Sequence, residues 1–96
     1  FSAIPDKKRD TPQSRVILYS TAWCPFCARA REMLHKEGVA FVEKDIEKDE
    51  KARREMAEKA GGYTGVPVLD VRGEILKGYD ERAIRDALYR MRRSTQ

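Results

Sequence analysis

The alternation of apolar and polar residues along the chain predicts elements in the order β-α-β-α-β-β-α. A nearly continuous apolar run at residues 15–20 is typical of a buried strand. Helix-type spacing follows at 28–37, with Pro25 close to the first turn and Gly38 as a stop. Further strands are expected at 39–46, 66–71 and 74–77, and further helices at 50–60 and after a cap at Asp80.

The order of these elements determines most of the topology. The first two strands are joined through a helix, so we expect them to be parallel with a right-handed crossover. Arg72-Gly73 is typical of a tight hairpin turn, so the last two strands should be antiparallel. We therefore predict an α/β fold, in which a mixed four-stranded sheet carries three helices on its two faces. The later helices show apolar stripes at Ala52, Met56 and Ala60, and at Ala83, Ile84, Ala87, Leu88 and Met91.

Length and charge narrow the class of protein. Ninety-six residues make one small domain, which we place at 15–93 behind a flexible polar tail at 1–14. No apolar run approaches the roughly 18 residues that cross a bilayer, so we expect no membrane partner. The net charge of +4 is mostly interleaved, and its densest basic cluster lies at 90–93 near the chain end. We expect no nucleic-acid binding from so short a patch.

The chain has two cysteines, in the segment Trp23-Cys24-Pro25-Phe26-Cys27 at the junction of the first strand and the first helix. Two cysteines are too few for a disulfide framework, so their role is more plausibly chemical. At a helix N-terminus, unpaired backbone N–H groups and the helix dipole favour a thiolate. Residues three apart also share a helix face, which brings the second thiol to the first. The spacing therefore predicts a redox-active dithiol.

A metal or iron–sulfur site is the alternative from another class, a binding module rather than an enzyme. Zinc takes about four protein ligands, whereas the chain offers two cysteines and His35, which lies more than two helical turns beyond Cys27. The acidic residues at 43–50 are interpreted as a solvated, helix-capping run. Asp70 falls inside a strand pattern, where we expect it on the exposed face. We therefore predict no metal ligands.

Three motifs in this element order together resemble the glutaredoxins, which implies a thioredoxin-like fold. They are Cys24-Pro25-Phe26-Cys27 after the first strand, Val66-Pro67 opening the third, and Gly78-Tyr79-Asp80-Glu81 opening the last helix.

The resemblance implies a role for each matching residue near the thiols. Cys24 would be an exposed attacking thiolate and Cys27 a buried resolving thiol. Pro67 would be cis and would bring the Val66 backbone beside Cys24, where it pairs with a peptide-like substrate such as glutathione.

The remaining matching residues would complete a substrate site. Gly78, Tyr79 and Asp80 correspond to the loop and helix start that receive the glutamyl carboxylate of glutathione, and a helix N-terminus has free N–H groups for an anion. Tyr79 forms either a groove wall or part of the core. Trp23, Pro25 and Phe26 flank the thiols as an apolar rim for substrates, with packing of the loop as the alternative for Trp23.

The resemblance implies a thiol–disulfide oxidoreductase that reduces protein disulfides or glutathione mixed disulfides by dithiol exchange. Glutathione would be its co-substrate, with no bound cofactor. Its partners would be glutathione and disulfide-containing proteins. We expect a monomer, and a cytoplasmic location by default for the family, with an exported or periplasmic location as the alternative.

Four residues depart from the family pattern. Thr21 stands where many glutaredoxins have a lysine for the glycyl carboxylate, Gly65 replaces the usual threonine, and Lys77 replaces a glycine. Trp23 is more typical of thioredoxins. These departures favour an alternative, a redoxin that is reduced by thioredoxin reductase and donates electrons to ribonucleotide reductase or another dedicated partner. Cluster-binding members usually lack a proline after the first cysteine, so Pro25 argues against the metal-binding alternative.

Overall fold

The computed structural model describes residues 16–94, with three helices and four strands. Their order is the predicted β-α-β-α-β-β-α. The predicted tail at 1–14 lies outside the described residues, and so does Arg15. In chain order the elements are β1 (Val16–Ser20), α1 (Pro25–Lys36), β2 (Phe41–Asp45), α2 (Glu50–Lys59), β3 (Val68–Val71), β4 (Glu74–Lys77) and α3 (Glu81–Ser94).

The four strands form one mixed sheet in the order β2-β1-β3-β4, which confirms the predicted fold class. β1 runs parallel to β2 and antiparallel to β3, and β3 and β4 form the predicted hairpin. Arg72 and Gly73 have φ values of 53° and 103°. Positive φ at both central residues is what a type I′ hairpin turn requires, and the glycine adopts it without steric cost.

The core has one layer on each face of the sheet. α1 and α3 cover one face, where Leu34 and Leu88 pack against Leu18 and Leu69. α2 covers the other face, where Ala52 and Met56 pack against strand residues of β1 and β3. The stripes predicted on α2 and α3 are thus the buried ones, apart from Ala83 and Met91, which are half-buried. Within residues 16–94, no helix is long and apolar enough to cross a membrane.

Two strands are shorter than predicted. The strand expected at 39–46 is confined to Phe41–Asp45, and the one expected at 66–71 begins only at Val68. Pro67 has no N–H to donate to the neighbouring strand, so it cannot extend the hydrogen-bonded ladder.

The predicted exposure of Asp70 is wrong, since its side chain is buried on the α2 face. One carboxylate oxygen lies 2.7 Å from Lys59 Nζ, and the other accepts the Gly73 N–H at 2.7 Å. Lys59 also donates to the hydroxyl of buried Tyr19 at 2.7 Å, and that hydroxyl donates to Glu55 at 3.0 Å. These residues, Tyr19, Glu55, Lys59 and Asp70, are called the α2-face cluster below. A carboxylate is tolerated inside a strand here because the cluster supplies its partners.

Candidate active site

The two cysteines lie at the start of α1, shortly after the end of β1. Cys24 is the N-cap of α1, with extended backbone at φ −82° and ψ 117°, and Pro25 occupies the first turn. The Cys24 Sγ accepts the backbone N–H of Cys27 at 3.1 Å, as an N-cap side chain normally does. A sulfur in this position faces the unpaired N–H groups of the helix, which stabilise negative charge on it.

The two thiols differ in burial and in protonation. Cys27 is fully buried, and this burial raises the pKa of its thiol to about 12, with the hydrogen bond to Cys24 acting in the same direction. Cys27 is therefore protonated at neutral pH, which leaves Cys24 as the thiol able to attack first. The implied exposure of Cys24 is wrong, because this residue is only 6% exposed. The small exposed part of Cys24 faces a groove, and neighbouring residues bury the rest of it.

That groove has a volume of about 650 Å³ and runs past Cys24 between the α1 N-terminus and the loop before β3. It brings together Cys24 with Trp23, Pro25, Phe26 and Val66, all predicted as site residues. The lining also includes residues that the sequence reasoning did not select as substrate contacts: Thr21, Ile46, Glu47, Arg53, Thr64 and Gly65.

Trp23 and Phe26 form an exposed aromatic rim, with 66% and 52% of their surface accessible. The Trp23 Nε1 donates to Glu47 at 2.9 Å, which holds the indole at the groove edge. The Phe26 ring is stacked with Tyr79 at a centroid distance of 6.3 Å and has the Arg29 guanidinium over it at 5.7 Å. So high an exposure of Trp23 disfavours the alternative in which this residue packs the loop.

Thr21 has an unusual environment beside the thiols. It lines the groove, yet it is only 3% exposed, and its hydroxyl has no hydrogen-bond partner within residues 16–94. A buried hydroxyl without a partner loses free energy relative to a hydrated one.

The peptide bond between Val66 and Pro67 is cis, as the resemblance implied. Val66 lines the groove, whereas Pro67 is buried behind it. The Pro67 carbonyl accepts the Gly78 N–H at 2.8 Å, which ties the start of the loop before α3 to this turn. Gly78 has φ 82°, a value that side-chain-bearing residues rarely adopt.

The structure places Gly78, Tyr79 and Asp80 beyond Phe26, outside the groove lining. Half-buried Tyr79 packs against the core, which is one of its two predicted settings, and its ring stacks with Phe26 rather than lining the groove itself. The expectation of free N–H groups at this helix start is wrong for two of them. The Asp80 carboxylate accepts the N–H groups of Arg82 at 3.1 Å and Ala83 at 3.2 Å. Asp80 thus caps its own helix, which leaves fewer donors for a substrate anion.

The lining residues that sequence reasoning missed come from other elements. Glu47 follows β2, Arg53 lies on α2, and Thr64 belongs to the loop before β3. Only the fold brings them to the thiols, and the sequence carries no local signal for this placement.

No group of three or more His, Cys, Asp or Glu side chains within residues 16–94 is arranged to hold a metal ion. His35 is exposed, and its ring lies 5.2 Å from that of Phe41. The acidic run is partly used for capping, since Asp49 accepts the Ala52 N–H at 3.1 Å.

Comparison with known proteins gives a consistent result. The family model described as Glutaredoxin matches residues 16–76. A glutaredoxin from Pseudomonas aeruginosa is 39% identical over 66 residues, which cover 69% of this chain and 77% of that protein. The solved glutaredoxin of Archaeoglobus fulgidus superposes with a TM-score of 0.71 at 28% identity, over 77% of this chain and 85% of that one. The thioredoxin-like protein BC3987 gives a TM-score of 0.72 at 26% identity, over 76% of this chain and 99% of its own.

Proposed function

The chain belongs to the glutaredoxin family and is a thiol–disulfide oxidoreductase, and we propose that it reduces disulfides with electrons from glutathione. One observation carries the proposal. The Cys24 sulfur lies at the N-cap of α1 in an open groove, with the protonated thiol of Cys27 one helical turn behind it.

In the first step the Cys24 thiolate attacks one sulfur of a substrate disulfide. A new Cys24 Sγ–S bond forms, the substrate S–S bond breaks, and the departing thiolate takes a proton from solvent. The N–H group of Cys27, 3.1 Å from the Cys24 sulfur, stabilises negative charge there before the attack and again when Cys24 leaves.

In the second step two routes diverge. Cys27 gives up its proton to solvent and attacks the Cys24 sulfur, so that a Cys24–Cys27 disulfide forms as the bond between Cys24 and the substrate sulfur breaks. The second half of a protein substrate leaves as a thiolate and takes up a proton. Two glutathione molecules then reduce this disulfide and leave as glutathione disulfide. For a glutathione mixed disulfide, a second glutathione attacks the Cys24 adduct directly, so Cys27 is not needed.

The groove supports glutathione as the electron donor through its charge as well as through Val66. Arg53 supplies a cation at the groove where Thr21 stands in place of the family's lysine. Its guanidinium is paired with Glu50 at 3.1 Å, and both side chains are more than half exposed. Such surface pairs contribute little free energy, so a substrate carboxylate can replace Glu50 at small cost.

Two observations favour the second candidate, a redoxin that receives electrons from thioredoxin reductase. The Thr21 hydroxyl beside the thiols carries no charge for a glycyl carboxylate, and the exposed Trp23 offers a large apolar contact to a protein partner.

A coupled assay separates the two candidates. The oxidised protein is supplied with NADPH and either glutathione plus glutathione reductase, or thioredoxin reductase alone, and NADPH oxidation is followed at equal protein concentration. We expect faster turnover with glutathione. Turnover with thioredoxin reductase and none with glutathione would overturn the proposal in favour of the redoxin.

A further inference from the structure

A hydrogen-bonded ion pair joins α1 to the sheet on the face that α1 covers. The Arg31 guanidinium donates to both carboxylate oxygens of Glu43 on β2, at 2.7 and 2.6 Å. The hydroxyl of buried Ser20, the last residue of β1, donates to one of these oxygens at 2.7 Å. Donors from two other elements therefore hold the Glu43 carboxylate, and its bidentate contact fixes the position of the guanidinium.

Cys27 lies on the same face of α1 as Arg31, which follows it by four residues. Cys27 is fully buried, so water does not solvate a charge on its sulfur. Burial accounts for most of the rise in the pKa of the Cys27 thiol. The backbone amide of Thr21, the residue after Ser20, and the positive charge of Arg31 both act to lower that pKa. Arg31 is thus a source of positive charge for a Cys27 thiolate.

The resolving step is where this charge matters. In the mixed disulfide the Cys24 sulfur is bonded and uncharged, so its Coulombic opposition to a Cys27 thiolate disappears. The Arg31 charge still favours that thiolate, whereas Glu43 offsets the charge through the ion pair. His35, which also acts on Glu43, is exposed one helical turn further along α1. The two members of the ion pair therefore act on Cys27 in opposite directions.

We propose that Arg31 is a positioning residue for the second step of the exchange, in which its charge favours the attacking thiolate of Cys27. Glu43 and Ser20 hold the guanidinium in place, and the negative charge of Glu43 limits its effect. The ion pair thereby sets how fast Cys27 resolves a mixed disulfide on Cys24. This role rests on the dithiol exchange proposed above and is independent of the electron donor. Arg31 exchanges no atoms in the step, because the Cys27 proton goes to solvent and the departing thiolate takes one up.

Rapid mixing of the reduced protein with one equivalent of dithiobis(nitrobenzoate) separates the two steps in one trace. The attack of Cys24 on the reagent releases one coloured thionitrobenzoate, and the attack of Cys27 on the adduct releases the second. The readout is the ratio of the second rate constant to the first, followed as a function of pH. A ratio is needed because the Arg31 charge also interacts with Cys24.

Arg31→Met should lower this ratio, whereas Glu43→Gln, which keeps an acceptor for Ser20, should raise it. A unit charge about 6 Å away, the spacing of such helix neighbours, changes the thiolate fraction about five-fold. The rate constant should change only about two-fold, because a more basic thiolate is also a better nucleophile. The pH profile of the second phase should move to higher pH in Arg31→Met and to lower pH in Glu43→Gln. Arg31→Lys should restore the ratio because it keeps the charge.

A purely structural ion pair would respond differently, since the loss of either member would move the ratio in the same direction. The matched control is the pair of Glu81 and Arg85 on α3, 2.7 Å apart, for which Arg85→Met and Glu81→Gln should leave the ratio unchanged. A ratio that falls in both Arg31→Met and Glu43→Gln, or changes in neither, would overturn the role of Arg31. A trace without a second phase in the unsubstituted protein would overturn the dithiol route and this inference with it.

Discussion

The thiol groove and the α2-face cluster both contain buried polar groups, but they differ in whether those groups have hydrogen-bond partners. In the cluster, the buried Asp70 carboxylate has two donors at 2.7 Å, and Tyr19 both accepts and donates. In the groove, the buried Thr21 hydroxyl has no partner within the described residues, and Trp23 is largely exposed. Helix α2 contributes to both regions, through Arg53 and Lys59. The cluster therefore satisfies its buried polar groups, whereas the groove contains one buried hydroxyl, that of Thr21, which the described residues leave without a partner.

In the groove, substitution of the nucleophile Cys24 is expected to have the largest effect on activity. Cys24→Ser should reduce thiol–disulfide exchange to the uncatalysed rate, because a serine hydroxyl does not form the attacking thiolate. Serine is itself a favourable N-cap, so the free energy of unfolding should change by about 1 kcal/mol at most. Activity is measured with a glutathione mixed disulfide and stability by urea unfolding. Full turnover in this variant would show that the chemistry lies elsewhere.

Substitution in the α2-face cluster should lower the free energy of unfolding but leave the activity of the folded protein unchanged. Asp70→Ala leaves the Lys59 ammonium without its carboxylate, and removing one partner of a buried pair costs about 3 kcal/mol of unfolding free energy. Turnover per folded molecule should be retained. Urea unfolding and the same activity assay measure the two effects.

The control for Asp70 is an exposed ion pair, Glu81 with Arg85, in which both side chains are 58% exposed. Glu81→Ala should cost about 0.5 kcal/mol or less. The double variant Asp70→Val/Lys59→Met should recover most of the loss, since an apolar pair needs no charge compensation. If Asp70→Ala and Glu81→Ala proved equally stable, the cluster would have no special role in stability.

A smaller effect is expected at the groove rim. Glu47→Ala removes the acceptor that holds the Trp23 indole at 2.9 Å, so the ring should become less ordered. The loss of one such hydrogen bond corresponds to about a two- to three-fold fall in kcat/KM for a protein disulfide. The control variant is Glu58→Ala, because Glu58 is also an exposed glutamate but lies outside the groove lining. Equal rates in the two variants would mean that the Trp23 orientation does not matter for docking.

The fold was largely predictable because its signals are local. The apolar stripe of the last helix, the turn at Arg72-Gly73 and the proline at Pro25 each determine a nearby backbone conformation. The buried state of Asp70 was not predictable, because its partner Lys59 lies on another element and only the tertiary fold joins them.

For the candidate site, too, the residues in local motifs were predictable and those brought together by the tertiary fold were not. The dithiol and the Val66-Pro67 turn are read directly from sequence motifs, and the structure brings Cys24 and Val66 into one groove. Glu47 and Arg53 escaped prediction because nothing in their own segments points to the thiols. The capping role of Asp80 was anticipated, but its consequence for anion binding depends on which N–H groups the carboxylate reaches.

The central claim is that Cys24 attacks first while Cys27 stays protonated, and trapping of the adduct tests it most directly. Cys27→Ser and Cys24→Ser are each treated with glutathione disulfide at neutral pH, and peptide mapping by mass spectrometry locates the glutathionyl group over time. We predict rapid formation of a single adduct on Cys24 in the Cys27→Ser variant and almost none on Cys27 in the Cys24→Ser variant. Adduct formation on Cys27 at a comparable rate would contradict the assignment of the nucleophile.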